Sequence, residues 1–352
     1  MPLTRESGRI VKLRKTLLAP LVFLIVLHGV VLFAGFFAPY DPAAQRRALP
    51  FAPPNWIHFV DRNGRFHLRP FVYERLISSE IGEVYQEDRS HSYEVEFFSS
   101  GAQYSVAAIW NARIHLFGVD EPGMISLMGT DDYGRDQFSR LLYGAQISLL
   151  AGPLAAALAI SIGLMLGALA GYYGKWLDEL FMAGAELFLT LPWLYLLLGA
   201  RAALPLNLGP RYAFLAIVVV LGSIGWARPA RLVRGVVLTA KEREYVIAAR
   251  GFGASDLYLL RRHVLPQTRG LLLTQAALLI PHYILAEVTM SFLGLGVNEP
   301  GTSWGSMLAS LQQYHVLVSY WWMSLPALFL LPVIGSYYAL SNALASAELG
   351  NA

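Results

Sequence analysis

Long apolar segments without charged residues place the strongest constraint on this chain. The stretch from Leu141 to Gly174 contains no Asp, Glu, Lys or Arg, and the same holds from Thr16 to Tyr40. A helix of about 20 mostly apolar residues crosses the hydrocarbon core of a bilayer. The whole chain agrees, because 55% of its 352 residues are hydrophobic and 14% are charged, whereas soluble domains carry about 25% charged residues. The sequence therefore predicts a polytopic membrane protein.

Six segments are predicted as membrane-spanning helices. They are 16–40, a helix within 141–174, 180–200, 212–233, 271–295 and 321–340. The first is interpreted as a retained span, because its apolar stretch is longer than a usual signal core and "FFAPYDP" is a poor cleavage site.

Clustered Lys and Arg residues predict the orientation. The N-terminal tail carries Arg5, Arg9, Lys12, Arg14 and Lys15 against Glu6, and the segment 228–269 carries nine Lys and Arg against three acidic residues. Such clusters stay on the cytoplasmic side. Six spans place both clusters and both termini there, in a bacterial cytoplasmic (inner) membrane. The net charge of +3 is too small and too scattered to indicate nucleic acid, and the absence of Cys excludes a disulfide framework.

The segment 41–128 is then extracytoplasmic, and we expect it to contain β-structure. "NWIHFVDRNGRFHLRPFVY" alternates in polarity across Asn63-Gly64, which is a two-residue hairpin signal. "SYEVEFF" also has the period of a strand.

The stretch "EREYVIAARGFGASDLYLLRRHVLP" lies at the predicted cytoplasmic surface. Residues 241–250 are compatible with a helix, Gly251 and Gly253 interrupt it, and a second amphipathic run is expected to stop at Pro266. Gly253 can adopt a left-handed backbone that a Cβ would penalise. The pattern predicts two short helices joined at a fixed bend. Physical reasoning alone leaves two functions open with about equal weight, docking to another protein and contact with anionic lipid headgroups.

The same stretch resembles the EAA signature of ATP-binding-cassette importer permeases, in the form of the dipeptide/oligopeptide/nickel branch. Ala248, Ala249, Gly253 and Leu265-Pro266 match at the signature's spacing, whereas Ile247 stands at its glutamate position. In such permeases this loop is a coupling helix that enters a groove on the ATPase subunit.

Two further blocks resemble the C-type subunits of that branch. They are "GTDDYGRDQFSRLLYGAQISL" before the second span and "EVTMSFLGLGVNEPGTSWGSML" after the fifth. A third pattern, through Asp178, Met182 and Glu186, matches imperfectly because Ala183 replaces its Arg. The similarity covers the first span and about 115–345, and the insert at about 45–110 has no match.

The resemblance implies an all-α polytopic fold, the six-helix type I importer permease fold, with a β-containing insert between helices 1 and 2. It implies a permease core at 129–345 with a cytoplasmic coupling loop at 234–269, and cytoplasmic tails at 1–15 and 346–352. The implied partners are a second, B-type permease subunit, two ATP-binding subunits, an extracytoplasmic substrate-binding protein and membrane lipid. The implied cargo is a dipeptide, oligopeptide, nickel chelate or sugar, with a weak preference for peptides.

Three groups of site residues are predicted. The ATPase-coupling group is Glu244, Ala248, Ala249, Gly253, Ser255, Arg261, Arg262, His263 and Pro266. The group for the translocation path or a subunit interface is Glu186, His282, Glu287 and Ser291, since ionisable groups inside spans are functional candidates. The outer-mouth group is Asp131, Arg135, Asp136, Arg140 and Trp304. Asp136 and Arg140 stand four residues apart on a predicted helix, so we expect them to pair. Internal packing, snorkelling and helix capping are the alternative roles for the last two groups.

Nucleotide chemistry is not expected in this chain. "GYYGKW" has a Gly-Lys but lacks the spacing and the Ser or Thr of a phosphate-binding loop. We therefore expect ATP and Mg²⁺ on partner subunits, no cofactor on this chain, and no metal site, since the eight His residues lack a tight ligand spacing.

Two rival functions remain at this stage. An ion-coupled secondary transporter or channel would use the intramembrane acids. A membrane enzyme lacks support, because neither His-Glu-x-x-His nor Gly-x-Ser-x-Gly occurs.

The second span also carries a stripe of small residues. Gly163, Gly167 and Gly171 recur every four residues. The stripe permits close helix crossing, and packing within the subunit and contact with a second permease are equally open.

Overall fold

The computed structural model describes residues 3–79, 84–106, 110–203, 205, 208–297 and 299–351. The chain forms two compact units. Unit 1 comprises Met1–Leu24, Leu150–Glu287 and Pro332–Ala352, and unit 2 comprises Ile25–Leu149 and Val288–Leu331.

Helices account for most of the described chain outside the insert. The α-helices are α1 (Leu3–Leu32), α2 (Ala34–Phe37), α3 (Gln137–Tyr173), α4 (Lys175–Thr190), α5 (Trp193–Ala202), α6 (Pro210–Ile224), α7 (Ala227–Ala240), α8 (Glu244–Gly251), α9 (Asp256–Leu259), α10 (Arg269–Phe292), α11 (Trp304–Ala309), α12 (Tyr314–Ser319) and α13 (Leu325–Asn351). A π-helical turn, Leu260–Val264, and a 3-10 turn, Leu265–Thr268, join α9 to α10. Further 3-10 turns are Ser310–Gln312 and Trp321–Ser324.

Several of these helices are long and apolar enough to cross a membrane. Three continuous helices qualify by length and composition, Gln137–Tyr173, Asp256–Phe292 and Trp321–Ser346. Two bent helix pairs qualify when each pair is counted as one span, α4 with α5 and α6 with α7. The described apolar part of α1, Leu18–Leu32, is shorter. The chain is thus a helical protein with several spans, and the count of six stays a prediction.

The third predicted span is broken, which the sequence analysis did not anticipate. α4 and α5 meet at an angle of 96°. Leu191 between them has an extended backbone, with φ −76° and ψ 137°. Pro192 accounts for the break, because proline lacks an N–H and its ring disfavours the helical conformation of the preceding residue.

The fourth predicted span is longer than expected and also bent. It begins at Pro210, bends by 43° between α6 and α7, and continues to Ala240 rather than ending near Val233. Arg228 and Arg234 therefore lie within this bent helix pair and not in a polar loop.

The glycine stripe packs inside unit 1. A Cβ at Gly167 would lie 2.4 Å from the carbonyl oxygen of Ala230, and one at Gly163 would lie 2.6 Å from Cβ of Pro229. At Gly171 the nearest atom would be the carbonyl oxygen of Arg234, at 2.9 Å. The stripe thus lets the backbones of α3 and α7 approach closely, so internal packing accounts for it.

Gly167→Ala should lower stability, because an added methyl group meets a backbone carbonyl that cannot move alone. Overpacking of this kind costs about 1–3 kcal/mol. The matched control is Gly235→Ala, since a Cβ there meets no atom within 4 Å and alanine favours a helix by up to about 1 kcal/mol. Thermal unfolding of the purified protein checks this, and equal melting temperatures for both variants would contradict the packing role.

The insert consists of antiparallel strands, all in unit 2. The strands are β1 (His58–Val60), β2 (Phe66–Ser79), β3 (Val84–Glu94), β4 (Glu96–Phe97), β5 (Ser100–Val106), β6 (Trp110–Ile114) and β7 (Phe117–Gly118). They form a sheet in the order β1-β2-β3 and two pairs, β4-β7 and β5-β6. The β1-β2 turn contains Gly64 with φ +79°, at the hairpin expected for Asn63-Gly64.

A small apolar core supports the insert. Val72, Val95 and Ile125 are buried together. His115 is also almost fully buried, and its ring nitrogens lie 2.5 Å from the carbonyl oxygen of Ala38 and 2.9 Å from that of Ala102. The hydrogen bond to Ala38 ties the strands to the segment that follows α2.

Candidate functional site

Helices α8 and α9 form the bent element expected from the sequence. Residues 244–259 are here called the coupling hairpin, after the role that the resemblance implies for them. α8 ends at Gly251, and Gly253 adopts φ +86°. The Ala254 N–H donates to the Ala249 carbonyl at 3.1 Å, which closes the turn. Ser255 then caps α9, since its hydroxyl accepts the N–H of Tyr258. The left-handed conformation at Gly253 fixes the direction of the bend.

The expectation that helix ends at Pro266 is wrong. The chain continues as a helical path from Asp256 to Phe292. A π-helical turn and then a 3-10 turn contain Arg261, His263 and Pro266. Proline breaks a regular α-helix through a missing i−4 hydrogen bond and a clash with the i−4 carbonyl. Changing the helical period before Pro266 avoids that geometry, so the coupling hairpin is joined to α10 without a flexible loop.

Apolar packing holds the coupling hairpin against α3 and α7. Its buried members are Val246 and Leu259, which share one cluster with Val233, Val237 and Ala168. Each buried aliphatic side chain of this kind contributes about 1.5–3 kcal/mol. The hairpin is therefore part of the folded core of unit 1.

Polar contacts reinforce that packing at the end of α3. The hydroxyl of Tyr172 donates to Oδ1 of Asp256 at 2.6 Å and accepts Nη2 of Arg250 at 3.0 Å. One tyrosine thus bridges the last turn of α8 and the first turn of α9. Lys241 donates to the carbonyl of Gly171 at 2.8 Å.

A bidentate ion pair joins the neighbouring helices. Arg234 on α7 donates through Nε and Nη2 to the two carboxylate oxygens of Asp178 on α4. Asp178 is the residue that matches the third, imperfect motif. Its role here is to link α4 to the helix that leads into the coupling hairpin.

The outer face of the coupling hairpin is apolar and exposed at its tip. Phe252 is 93% exposed. Four further large side chains of the hairpin are about half exposed, namely Tyr245, Ile247, Leu257 and Tyr258. Such a concentration of exposed apolar side chains marks an interaction surface.

The predicted coupling residues occupy distinct positions on this element. Glu244, Ala248, Gly253, Ser255, Arg261 and Arg262 are exposed, whereas Ala249, His263 and Pro266 are half-buried. His263 lies between the rings of Tyr245 and Tyr258, with centroids 5.9 and 5.6 Å away. No sequence pattern pointed to Tyr172, Arg234 or Phe252, and Asp178 was named only as part of the third, imperfect motif.

Tyr172→Phe should loosen the coupling hairpin while leaving the fold intact. The variant loses the hydrogen bonds to Asp256 and Arg250, and bonds to charged groups contribute about 1.5–3 kcal/mol. Amide hydrogen exchange across 244–259 should become at least about tenfold faster. Tyr173→Phe is the matched control, because Tyr173 is half exposed, and equal exchange in both variants would contradict the bridging role.

The predicted outer-mouth residues form a buried ion network in unit 2. Arg135 Nε lies 2.6 Å from Oδ2 of Asp131, and Arg140 Nε lies 3.5 Å from the same oxygen. Glu299, which the sequence analysis missed, accepts from Arg135 at 2.8 Å and from Arg140 at 3.1 Å. The network joins the segment before α3 to the segment before α11.

The expected pair between Asp136 and Arg140 is wrong. Oδ2 of Asp136 instead accepts the N–H and the hydroxyl of Ser139, at 2.8 and 2.7 Å, and so caps α3. Burial raises the pKa of Asp136 to about 6. Trp304 is also buried, and its indole N–H donates to the Leu141 carbonyl at 2.9 Å. Within this chain, Asp136 and Trp304 therefore stabilise the fold.

Asp131→Asn should destabilise the protein strongly, because it leaves two buried guanidinium groups with one shared carboxylate. Removing one partner of a buried ion pair costs about 3–5 kcal/mol. Asp132→Asn is the control, because Asp132 is half exposed and lies 3.8 Å from Arg135. Thermal unfolding of both variants tests this. A decrease in melting temperature for Asp131→Asn no larger than that for Asp132→Asn would contradict the network.

The four predicted translocation or interface residues do not form one cluster. Glu186 is exposed on α4, and Glu287 and Ser291 are buried on α10. His282 lines a cavity of about 330 Å³ within unit 1. Arg228 and Gln275 also line that cavity. The sequence analysis missed both, and treated Arg228 as the start of a polar loop.

One group of metal-ligating residue types is brought together in the described insert. Nδ1 of His91 lies 2.9 Å from Asp88 and 3.7 Å from Glu74. The hydroxyl and N–H of Ser90 also bond Asp88, and these bonds lower its pKa to about 2. The hydrogen bonds of an exposed β-bulge account for this arrangement, so we assign no metal to it.

The fold and the candidate site define a helical membrane protein with a bent hairpin whose apolar residue Phe252 is exposed. Residues 163–347 match the model of one protein family, described as "Binding-protein-dependent transport system inner membrane component". The matched segment is more than half of the chain, and the chain belongs to that family. The resemblance to permeases of ATP-binding-cassette importers is thereby confirmed.

Relatives support this assignment over a similar range. The dipeptide transport system permease protein DppC of Bacillus subtilis (strain 168) is 39% identical over 220 residues, which cover 62% of this chain and 67% of that protein. A putative peptide transport system permease protein of Brucella suis biovar 1 (strain 1330) is 40% identical over 204 residues, covering 58% and 66%. The matched stretch thus spans about two thirds of these relatives.

A solved structure is also similar. It is described as "Inward facing conformations of the MetNI methionine ABC transporter: CY5 native crystal form". The similarity has a TM-score of 0.45 at 17% identity and covers 59% of this chain and 95% of the solved one.

Proposed function

We propose that this chain is the permease subunit of an ATP-driven importer for peptides or similar small solutes, and that it forms half of the translocation path. The coupling hairpin carries this proposal, because it is rigidly joined to the spans and yet presents an apolar tip. The two relatives, whose names describe peptide permeases, support the choice of cargo.

Energy enters this chain through contact with separate ATP-binding subunits. Phe252 and its exposed neighbours occupy a groove on such a subunit, and Arg261 and Arg262 lie beside that contact. A partner shifts a conformational equilibrium only through its different affinity for the two states. The coupling hairpin must therefore move as a unit with the spans, and the bonds of Tyr172 and Lys241 favour such movement.

The remaining parts of the transporter follow from this role. A second permease completes the path, a substrate-binding protein delivers the solute from outside, and ATP and Mg²⁺ bind the partner subunits. This chain itself catalyses no reaction. The six-span type I arrangement, with both termini in the cytoplasm, places the coupling hairpin on the side where ATP is available.

Gly253→Pro should uncouple ATP hydrolysis from uptake while the chain still inserts in the membrane. Proline cannot adopt φ +86°, because its ring fixes φ near −65°, so the bend must change direction. Gly251→Ala is the matched control, since a Cβ at Gly251 meets no atom within 4 Å. Peptide uptake and ATPase activity are measured in the assembled complex.

Reversing the charges of both Arg261 and Arg262 gives a second, independent variant. Peptide uptake should fall at least about tenfold in Gly253→Pro and in the double charge-reversal variant, and the expression of both variants should be unchanged. Normal uptake by Gly253→Pro would refute the coupling role, and uptake driven by an ion gradient without ATPase subunits would favour the secondary-transporter alternative.

A further inference from the structure

The cavity in unit 1 has the size and lining of a small-solute site. Its volume of about 330 Å³ falls in the range of ligand pockets, about 300–1,000 Å³. Apolar and aromatic side chains such as Phe188 and Trp193 form much of its wall. Five side chains with hydrogen-bonding or charged groups also line it, namely Arg228, Gln275, His282, Tyr283 and Tyr338. An apolar chamber with a few convergent polar groups is typical of a binding site.

Arg228 is the charged group of this cavity. It is the second residue of α7, directly after the bend of the α6–α7 pair. Arg228 is exposed, and none of the ion pairs between the described residues includes it. A guanidinium within a span is costly when it faces lipid and is found facing cavities or transport paths. Its position in the cavity wall therefore indicates contact with water or with an anionic solute.

Gln275 and Tyr283 supply buried hydrogen-bonding groups beside Arg228. Gln275 is 7% exposed and Tyr283 is 4% exposed. The hydroxyl of Tyr283 has no hydrogen-bond partner among the described residues, although buried hydroxyl groups are normally paired. Both residues lie on α10, which also carries His282, and the His282 ring lies 4.9 Å from that of Trp193. The cavity lining thus combines one guanidinium group, neutral polar groups and aromatic side chains.

We propose that this cavity is a solute subsite that holds the carboxylate of a transported peptide at Arg228, with Gln275 and Tyr283 bonding its amide and carboxylate groups. The inference rests on the proposed function for the identity of the solute. The preference for an anion rests on Arg228 alone. A permanently charged guanidinium, which binds carboxylates in a bidentate manner, favours a carboxylate over a cationic or neutral end group.

The absence of Cys from the chain permits a direct test in native membranes that hold the full chain and its transporter partners. Leu279→Cys places a single thiol in the cavity wall. Its labelling rate is measured with two thiosulfonate reagents of similar size, one carrying a sulfonate and one a trimethylammonium group. The ratio of the anionic to the cationic labelling rate is divided by the same ratio measured with a free thiol in solution. This normalised ratio should be about ten, because a charged cleft concentrates its counter-ion.

Arg228→Gln in the Leu279→Cys background should abolish the preference for the anionic reagent. Arg228→Lys should retain part of it. Arg231→Gln is the matched control, because Arg231 is on the same helix but outside the cavity lining, and it should leave the preference unchanged. Leu189→Cys, at another lining position of the cavity, serves as a second reporter if Leu279→Cys does not fold.

A dipeptide supplies the second measurement. Alanyl-phenylalanine should slow labelling at least about fivefold, and its C-terminal amide should not. No labelling at either reporter, or equal preference with and without Arg228, overturns the anion subsite. A preserved anion preference without protection by the dipeptide overturns the assigned ligand and the peptide part of the proposed function. Uptake by Gly253→Pro tests the coupling part separately.

Discussion

The close approach of α3 and α7 is the contact on which the coupling hairpin depends. Gly163, Gly167 and Gly171 bring the α3 backbone against α7, where no side chain larger than hydrogen fits. That approach sets Tyr172, at the end of α3, between Arg250 and Asp256. In a membrane, where lipid is as apolar as the helix surface, such van der Waals contact is a main source of helix association. The stiffness of the hairpin is therefore derived from packing between the spans.

Features of the fold that depend on the backbone conformation of a single residue were predicted from the sequence. Gly253 adopts the left-handed conformation expected of it, and the hairpin at Gly64 lies where Asn63-Gly64 indicated. The effect of proline was misjudged at two positions, because it depends on the turn that contains the residue. The break at Pro192 was not expected, and the stop expected at Pro266 does not occur. Pro192 ends α4, but Pro266 lies in a helical path whose period changes around it. A sequence pattern does not show that change of period, so the predicted stop at Pro266 was wrong.

Contacts between residues that lie far apart in the sequence could not be predicted from the spacing of charged residues. Asp136 and Arg140 have the separation of a helical ion pair, yet Asp136 precedes α3 and caps it. Arg140 instead meets Glu299, which lies far along the chain. Arg228 was missed for a related reason. A charge near the end of an apolar segment reads as the start of a loop, and only the bend between α6 and α7 shows that the helix pair continues past it.

The polar groups of the two units illustrate two ways of keeping charge away from lipid. In unit 2, Arg135 and Arg140 are paired with the carboxylates of Asp131 and Glu299, and these ion pairs link two segments that are distant in the sequence. In unit 1, Arg228 lines the cavity, and the subsite that we propose there would give its guanidinium a carboxylate partner only while a solute is bound. Fixed ion pairs suit the segments that must hold their shape. An arginine that faces a cavity suits a path whose occupant must bind and then leave.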